Sequence, residues 1–333
     1  EHFQKAGYRT IHVGKWHLGF SEETMPRGQG FDYSYGHMGG CIDNYSHFFY
    51  WKGPNRHDLY ENGIEIWENG HFFGDLMVDK VKENIQSEKP FFIYWAINMP
   101  HYPYQGREKW LEHYKELPTP RKEYAAFLST VDELVGEVMD DLQDKGLLKN
   151  TIVVYQSDHG HSEEERAYFG GGNSGIYRGA KFSVFEGGIR VPAIISLPGH
   201  IPQNEIRDQM AVNTDWFPTL SSLCDIPAPG GIEGKDMTSM IMNAGAKTPH
   251  QEFVWKTGPK KWDQWAVRKG DWKLVHNPRT IRKELDRFDE EFDTLMLFNL
   301  AKDPSEANNL VLEQPEKVQQ LQDIYLNWSK ENL

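Results

Sequence analysis

The chain has 333 residues, 38% of them hydrophobic and 13% aromatic, enough for a packed core and for one large domain with a smaller companion. Its net charge of -13, from 36 Lys+Arg against 49 Asp+Glu, argues against a nucleic-acid binder and repels anions at long range. Any anion site must therefore be assembled locally from clustered cations or a metal. There is no apolar run of about 18 residues to span a membrane, and the distant Cys41 and Cys224 make no disulfide framework.

Phe3, Ala6 and Gly7 read as the last turn of a helix with a glycine stop, so the sequence is expected to begin inside a domain. A missing signal peptide then carries no information on export. Tyr8–Val13, closed by Gly14, reads as a buried strand. "GDLMVDKVKENIQSEK" follows as a helix with Leu76, Val78, Val81 and Ile85 near one face. The second strand, "PFFIYWAIN" (Pro90–Asn98), is too densely apolar for a half-exposed strand. The next helix, "RKEYAAFLSTVDELVGEVMDDLQDKG", repeats apolar residues at helical spacing: Tyr124, Phe127, Leu128, Val131, Leu134, Val135, Val138 and Leu142. Gly146 can end it.

Thr151–Ser157 is a third strand and Val191–Gly199 a fourth candidate. Strands alternating with helices predict an α/β fold, a mostly parallel sheet covered by helices on both faces. After about Ala246 the pattern changes. "EFVWKT", "QWAVRKGDWKLV" and "DTLMLFNL" read as strands, with a hairpin turn at Lys269-Gly270-Asp271. A last helix is expected from Gln314 to Lys330, with Val318, Leu321 and Tyr325 on one side. The expected organisation is an α/β core over 1–246 and a small antiparallel sheet plus helix over 247–333.

Ligands of open α/β sheets bind beyond the carboxyl ends of strands. Lys15 and His17 follow the first strand, and His101 in "NMPHYP" follows the second. Asp158, His159 and His161 in "SDHGHSEEE" follow the third. Lys181, Glu186 and Arg190 in "GAKFSVFEGGIR" precede the fourth. Singly, each has an ordinary explanation: a solvated lysine, a structural histidine, a turn-forming aspartate. "GGGNSG" (Gly170–Gly175) lacks the lysine and hydroxyl of a phosphate-cradling loop and reads as flexible. Together they describe a site for a tetrahedral anion. Lys15, Lys181, His17 and His101 supply donors for anionic oxygens and for proton transfer. Asp158 and His159 offer ligands to a cation, although one aspartate is too few for Ca²⁺.

"GYRTIHVGKWHLG" resembles the second signature of the sulfatase (arylsulfatase-type) family, within the alkaline-phosphatase superfamily. "PHYP", "SDHG" and "AKFSVFEGGIRVP" follow in that family's order and spacing, and "WAVRKGDWKLV…LFNLAKDPSEANNL" resembles its C-terminal subdomain. The resemblance implies an alkaline-phosphatase-like fold and a sulfuric ester hydrolase. In such an enzyme a cysteine or serine becomes formylglycine, whose hydrate attacks the sulfur of a sulfate ester; the covalent sulfate is then eliminated. It implies one Ca²⁺, with Asp158 and His159 among its ligands, though many relatives carry Asn where His159 stands. It also implies that Lys15 contacts the nucleophile or sulfate and that His17 bonds the formylglycine hydroxyl. His101 and Lys181 would bind sulfate and assist the leaving oxygen. Glu186 and Arg190 are expected to be architectural, with Arg190 pairing to an acid.

The family's Cys/Ser-x-Pro-Ser-Arg nucleophile motif does not occur in the 333 residues, "GGCIDN" and "LCDIPA" do not match it, and the family's paired aspartates of the first strand are missing as well. The expectation is that both lie upstream of Glu1 and that the chain alone is inactive; a natural domain that lost its nucleophile is the alternative. A sulfated carbohydrate is the expected substrate, with the aromatic and polar residues of Gly36–Trp51 as candidate pocket lining. Two other functions stay open: a phosphate mono- or diester hydrolase of the same superfamily, and a non-catalytic binder of sulfated glycans. The expected compartment is periplasmic, secreted or lysosomal-type, with no nucleic-acid partner and no membrane span.

Overall fold

A computed structural model describes residues 1–51, 53–86, 88–257, 263–279 and 292–332. They form two compact units. The first comprises Glu1–Ile152, Leu197–His200 and Ser221–Ala228; the second comprises Val153–Ser196, Ile201–Leu220 and Pro229–Leu333.

The first unit opens with α1 (His2–Lys5), whose Phe3 is buried, and β1 (Arg9–Lys15). Then come β2 (Tyr33–His37), the two-residue strands β3 (Phe48–Phe49), β4 (Arg56–His57), β5 (Tyr60–Glu61) and β6 (Ile64–Glu65), helix α2 (Phe73–Asn84), β7 (Phe91–Ala96), α3 (Glu108–His113) and α4 (Arg121–Asp144). The main sheet has the order β6-β5-β2-β1-β7. β2, β1 and β7 run parallel, in a register that pairs Ile11 with Tyr33 and with Ile93, while β5 and β6 add antiparallel pairs. The sheet is therefore mixed around a parallel centre.

β1 lies between the parallel strands β2 and β7 and is buried; Ile11 and Val13 are fully covered. Two glycines let it lie close to both neighbours. A Cβ on Gly14 would sit 2.1 Å from the Ala96 carbonyl oxygen, and one on Gly36 1.8 Å from the Gly14 oxygen; both have positive φ. Helix α2 buries Phe73, Met77, Val78 and Val81 and stops at Asn84, short of the expected Lys89. Helix α4 buries Phe127, Val131, Leu134, Val138 and Leu142. Leu128, expected in that stripe, is exposed. Gly146 ends α4 with φ of 69°, and the Leu147 N–H reaches back to the Leu142 carbonyl at 2.9 Å.

Two expectations fail here. β7 was expected to be covered on both faces, but it is the last strand of its sheet among the described residues and is only half-buried, with Tyr94 exposed. The third and fourth strands, β8 (Val153–Gln156) and β9 (Ala193–Ser196), do not join the parallel sheet. They pair antiparallel with each other in the second unit, Val153 opposite Ser196 and Gln156 opposite Ala193. A parallel partner needs a crossover of a dozen or so residues, usually a helix. Between these strands the only α-helix is the single turn α5 (Glu186–Ile189), so the chain returns alongside itself.

The second unit continues through α6 (Trp216–Leu223), which ends in the first unit, and α7 (Thr238–Met242). A four-stranded antiparallel sheet follows, in the order β10 (Glu252–Thr257), β11 (Gln264–Lys269), β12 (Trp272–His276), β13 (Leu295–Asn299), with helix α8 (Pro315–Asn332). This is the expected sheet plus helix. The β11–β12 hairpin pairs Lys269 with Trp272 across Gly270, whose φ is 56°. Alternation along the strands gives the sheet two apolar faces. Trp265, Val267, Leu274 and Leu297 pack with Leu321 of α8. Ala266, Val275, Met296 and Phe298 pack with Val184 and Phe185. Among the described residues no helix is long and apolar enough to cross a membrane.

Candidate anion-binding site

Lys15 is the last residue of β1 and pairs in register with His37, the last residue of β2. The chain leaves the strand still bonded to its neighbour: Trp16 N–H donates to the His37 carbonyl at 2.9 Å and His17 N–H to that of Met38 at 3.2 Å. His17 then turns into the left-handed region, φ 57°, and its side chain is exposed. Its ring lies over Gly40, where a Cβ would come within 2.8 Å of the imidazole. Trp16 is buried behind it and donates to the Thr24 carbonyl at 2.8 Å.

His101 lies in the loop that leaves β7, the parallel neighbour of β1. Its Nδ1 is 2.7 Å from the Tyr102 carbonyl oxygen, and its ring packs on Tyr102 at 4.3 Å. Side-chain amides hold that loop to the segment after β2: Asn98 donates to Asn44 at 3.0 Å, Asn44 to Gln105 at 2.9 Å, and Gln105 to Asp43 at 2.7 Å. His37 is fully buried, and burial pushes its pKa well below the usual histidine range; the charge of Lys15 pushes the same way. The first unit thus gathers Lys15, His17 and His101 at the carboxyl rim of its parallel strands.

Sequence reasoning missed Asp58. It is buried and accepts the N–H groups of Met38 and Gly39 at 3.0 and 2.7 Å, fixing the turn after β2. Its residue type and spacing carried no motif. His37 was equally silent, because its significance lies in which strand it pairs with.

The second unit holds Asp158, His159 and Lys181. Asp158 and His159 bond locally: His159 N–H donates to Asp158 Oδ1 at 2.9 Å, and the imidazole Nε2 lies 3.0 Å from Oδ2. Nδ1 is 2.8 Å from the Gly160 carbonyl. Among the described residues no three His, Cys, Asp or Glu side chains gather to hold a metal. Ca²⁺ takes six to eight oxygens, and one carboxylate with one imidazole does not complete that shell. These residues alone do not fit the ion.

The Gly160 N–H donates to the Gly188 carbonyl at 3.0 Å, tying "SDHG" to the segment that carries Lys181. Lys181 N–H donates to His161 at 2.9 Å, and its ammonium to Glu164 at 3.2 Å. Glu186 is architectural, as expected. It is buried and pairs with Lys273 at 2.8 Å, Arg190 at 3.7 Å and Arg268 at 3.8 Å. Burial raises the Glu186 pKa, but Lys273 and the two arginines outweigh that and hold it below the usual carboxylate range. Lys273 also meets Glu306 at 2.9 Å, and both are fully buried. Burial keeps the Glu306 pKa high despite Lys273. Lys273 and Glu306 were missed; within "GDWKLV" a lysine looks like an outward strand residue.

The description of one matching family model is "Sulfatase", over residues 1–226; a second, "N-sulphoglucosamine sulphohydrolase, C-terminal", matches residues 172–327. Arylsulfatase J of Mus musculus is 30% identical over 361 residues, covering 96% of this chain and 59% of that protein. The chain thus spans about three-fifths of that relative's length. Its fold is similar to that of Ps i-CgsB solved with k-i-k-neocarrahexaose, at a TM-score of 0.85 and 23% identity, covering 99% of this chain and 73% of that one. It is also similar to BT4656 solved with its substrate D-glucosamine-2-N,6-O-disulfate, at a TM-score of 0.69 and 22% identity, covering 98% and 80%. With the family model spanning most of its length and strand-end residues arranged as above, the chain belongs to the sulfatase family.

Proposed function

We propose that the protein carrying this chain is a sulfuric ester hydrolase acting on a sulfated carbohydrate. The observation that carries this reading is the rim of the first unit, where Lys15 closes β1 in register with the buried His37 and His101 follows the parallel β7. In the first unit Lys15 offers N–H donors to anionic oxygens, as Lys181 does in the second, the chemistry that offsets charge developing as a sulfate ester breaks. His17 and His101 hold or move the proton at the leaving oxygen. Family membership supports sulfate as the anion.

A formylglycine nucleophile is part of the proposal. When present it supplies attack on sulfur. Neither Cys41, which is buried, nor Cys224 lies in its sequence motif, so no step is assigned to either. Ca²⁺ belongs to the same proposal, with Asp158 and His159 supplying only part of its shell, further oxygen ligands required beside them, and no step taken through it. The carbohydrate assignment is supported by the sugar ligands of Ps i-CgsB and BT4656, and by exposed Tyr45 and Trp51 after β2, whose ring faces suit a sugar. An exported compartment completes the reading.

The test is hydrolysis of a sulfate and a phosphate ester of one alcohol by the protein that carries this chain. Faster sulfate turnover is expected, with Lys181→Ala slowing it roughly 10²–10³-fold. A near-wild-type rate would remove Lys181 from the site, and faster phosphate turnover would establish a phosphoesterase. Glycan binding without turnover of either ester would establish a non-catalytic binder.

A further inference from the structure

Lys181 has a neighbour that an anion contact would not be expected to keep. Its ammonium is 3.2 Å from Glu164 Oε2, and both side chains are only 14% exposed. Glu164 is itself held in place. Its other oxygen pairs with Arg166, and the Ser162 hydroxyl donates to Oε2 at 3.0 Å. Lys181 is fixed as well, by its own N–H to His161 at 2.9 Å and by the Phe182 ring 5.0 Å from the ammonium. Beside them Glu163 is buried, 3.6 Å from His161. The carboxylate is built into the loop, not a passing partner.

A fixed carboxylate beside an anion site repels whatever binds there, and the repulsion scales with the ligand's charge. A sulfate monoester carries one negative charge. A phosphate monoester, above its second ionisation, carries two. The two are alike in shape and nearly alike in size, so a pocket separates them poorly by fit and well by charge. Glu164 pairs with both Lys181 and Arg166, so its charge offsets part of theirs. The ammonium can still donate hydrogen bonds, but the weakened positive field rewards a second negative charge less.

We propose that Glu164 is a specificity-determining residue, which sets Lys181 to accept a singly charged sulfate ester and to disfavour a doubly charged phosphate ester. It is a repulsive element of the kind by which binding sites reject a near-identical competitor. The proposal rests on the reading of Lys181 as an anion contact.

The experiment is calorimetric titration of the chain with para-nitrophenyl sulfate and para-nitrophenyl phosphate, at a pH where the phosphate is fully ionised. Wild type is expected to bind the sulfate ester more tightly. Glu164→Gln, which removes the charge at constant size, should raise phosphate affinity roughly five- to tenfold more than sulfate affinity. Glu164→Ala removes the same charge and replaces it as the test if the glutamine variant does not fold. An unchanged preference in the Glu164 variant, with Lys181→Met losing both esters, overturns the role of Glu164 and leaves the Lys181 contact standing. Unchanged binding by Lys181→Met, or none by wild type, overturns the Lys181 reading and this proposal with it.

Discussion

The two units hold their candidate site residues by different physics. In the first, strand register and two close-packed glycines place Lys15 and His17, and side-chain amides hold the loop of His101. In the second, Lys181 and its segment are placed by ion pairs, several of them buried: Lys181 on Glu164, and Glu186 on Lys273, Arg190 and Arg268. Backbone placement resists salt and tolerates side-chain change away from the glycines. Ion-pair placement concentrates its vulnerability in a few charges, because each buried ion depends on its partner.

The most damaging way to expose that contrast is to remove Lys273. Lys273→Met leaves Glu186 and Glu306 buried without their shared cation and should cost about 3–5 kcal/mol in denaturant unfolding. A loss under about 1 kcal/mol would mean that the second unit is not ion-dependent. In the first unit the matching change is Gly14→Ala. The added Cβ meets backbone, not a movable side chain, at a positive φ, and about 2–3 kcal/mol of destabilisation is expected. A thermally unaltered variant would remove the glycines from the account.

Acid sharpens the comparison. Burial lowers the pKa of His12 and of His47 to about 4, from an ordinary 6.5. Between those values the unfolded chain binds protons that the native state refuses, so stability falls as pH drops through that window. The slope is about 1.4 kcal/mol per pH unit for each histidine at most. Glu186 runs differently. Its lowered pKa contributes stability above the usual carboxylate range, lost only as pH falls below it. Residue-resolved hydrogen exchange should therefore show first-unit amides losing protection from about pH 6 downward, ahead of those around Glu186. Simultaneous loss would end the distinction. Least of all should Arg190→Gln matter. Its side chain is 41% exposed and its contact with Glu186 is long, so a change under about 1 kcal/mol is expected in thermal unfolding.

Much of this was readable in advance where the information is local. Apolar periodicity located β1, β7, α4 and the β11–β12 hairpin, and placed His17 and His101 just beyond strand ends; Lys15, expected to follow the first strand, closes it. Pairing was not readable. Thr151–Ser157 has the composition of a core strand whether its partner runs parallel or antiparallel; the deciding fact is the lack of a crossover helix before β9. Long-range polar contacts were equally hidden. Asp58 with Met38, and Lys273 with Glu306, join residues far apart in sequence whose types announce nothing. Arg190, predicted to pair with an acid, does so because that acid lies one helical turn away, at Glu186.

Glu306 accepts the backbone N–H of Glu186 at 2.6 Å and meets the ammonium that Glu186 shares. The end of the chain thus forms part of the floor beneath the segment bearing Lys181. For protein engineering this sets a grafting rule: a chimera joined anywhere between residues 190 and 270 exchanges the two halves of a buried charge cluster between parents. Glu186, Lys273 and Glu306 have to travel as a set, and the C-terminal sheet is no freely interchangeable module.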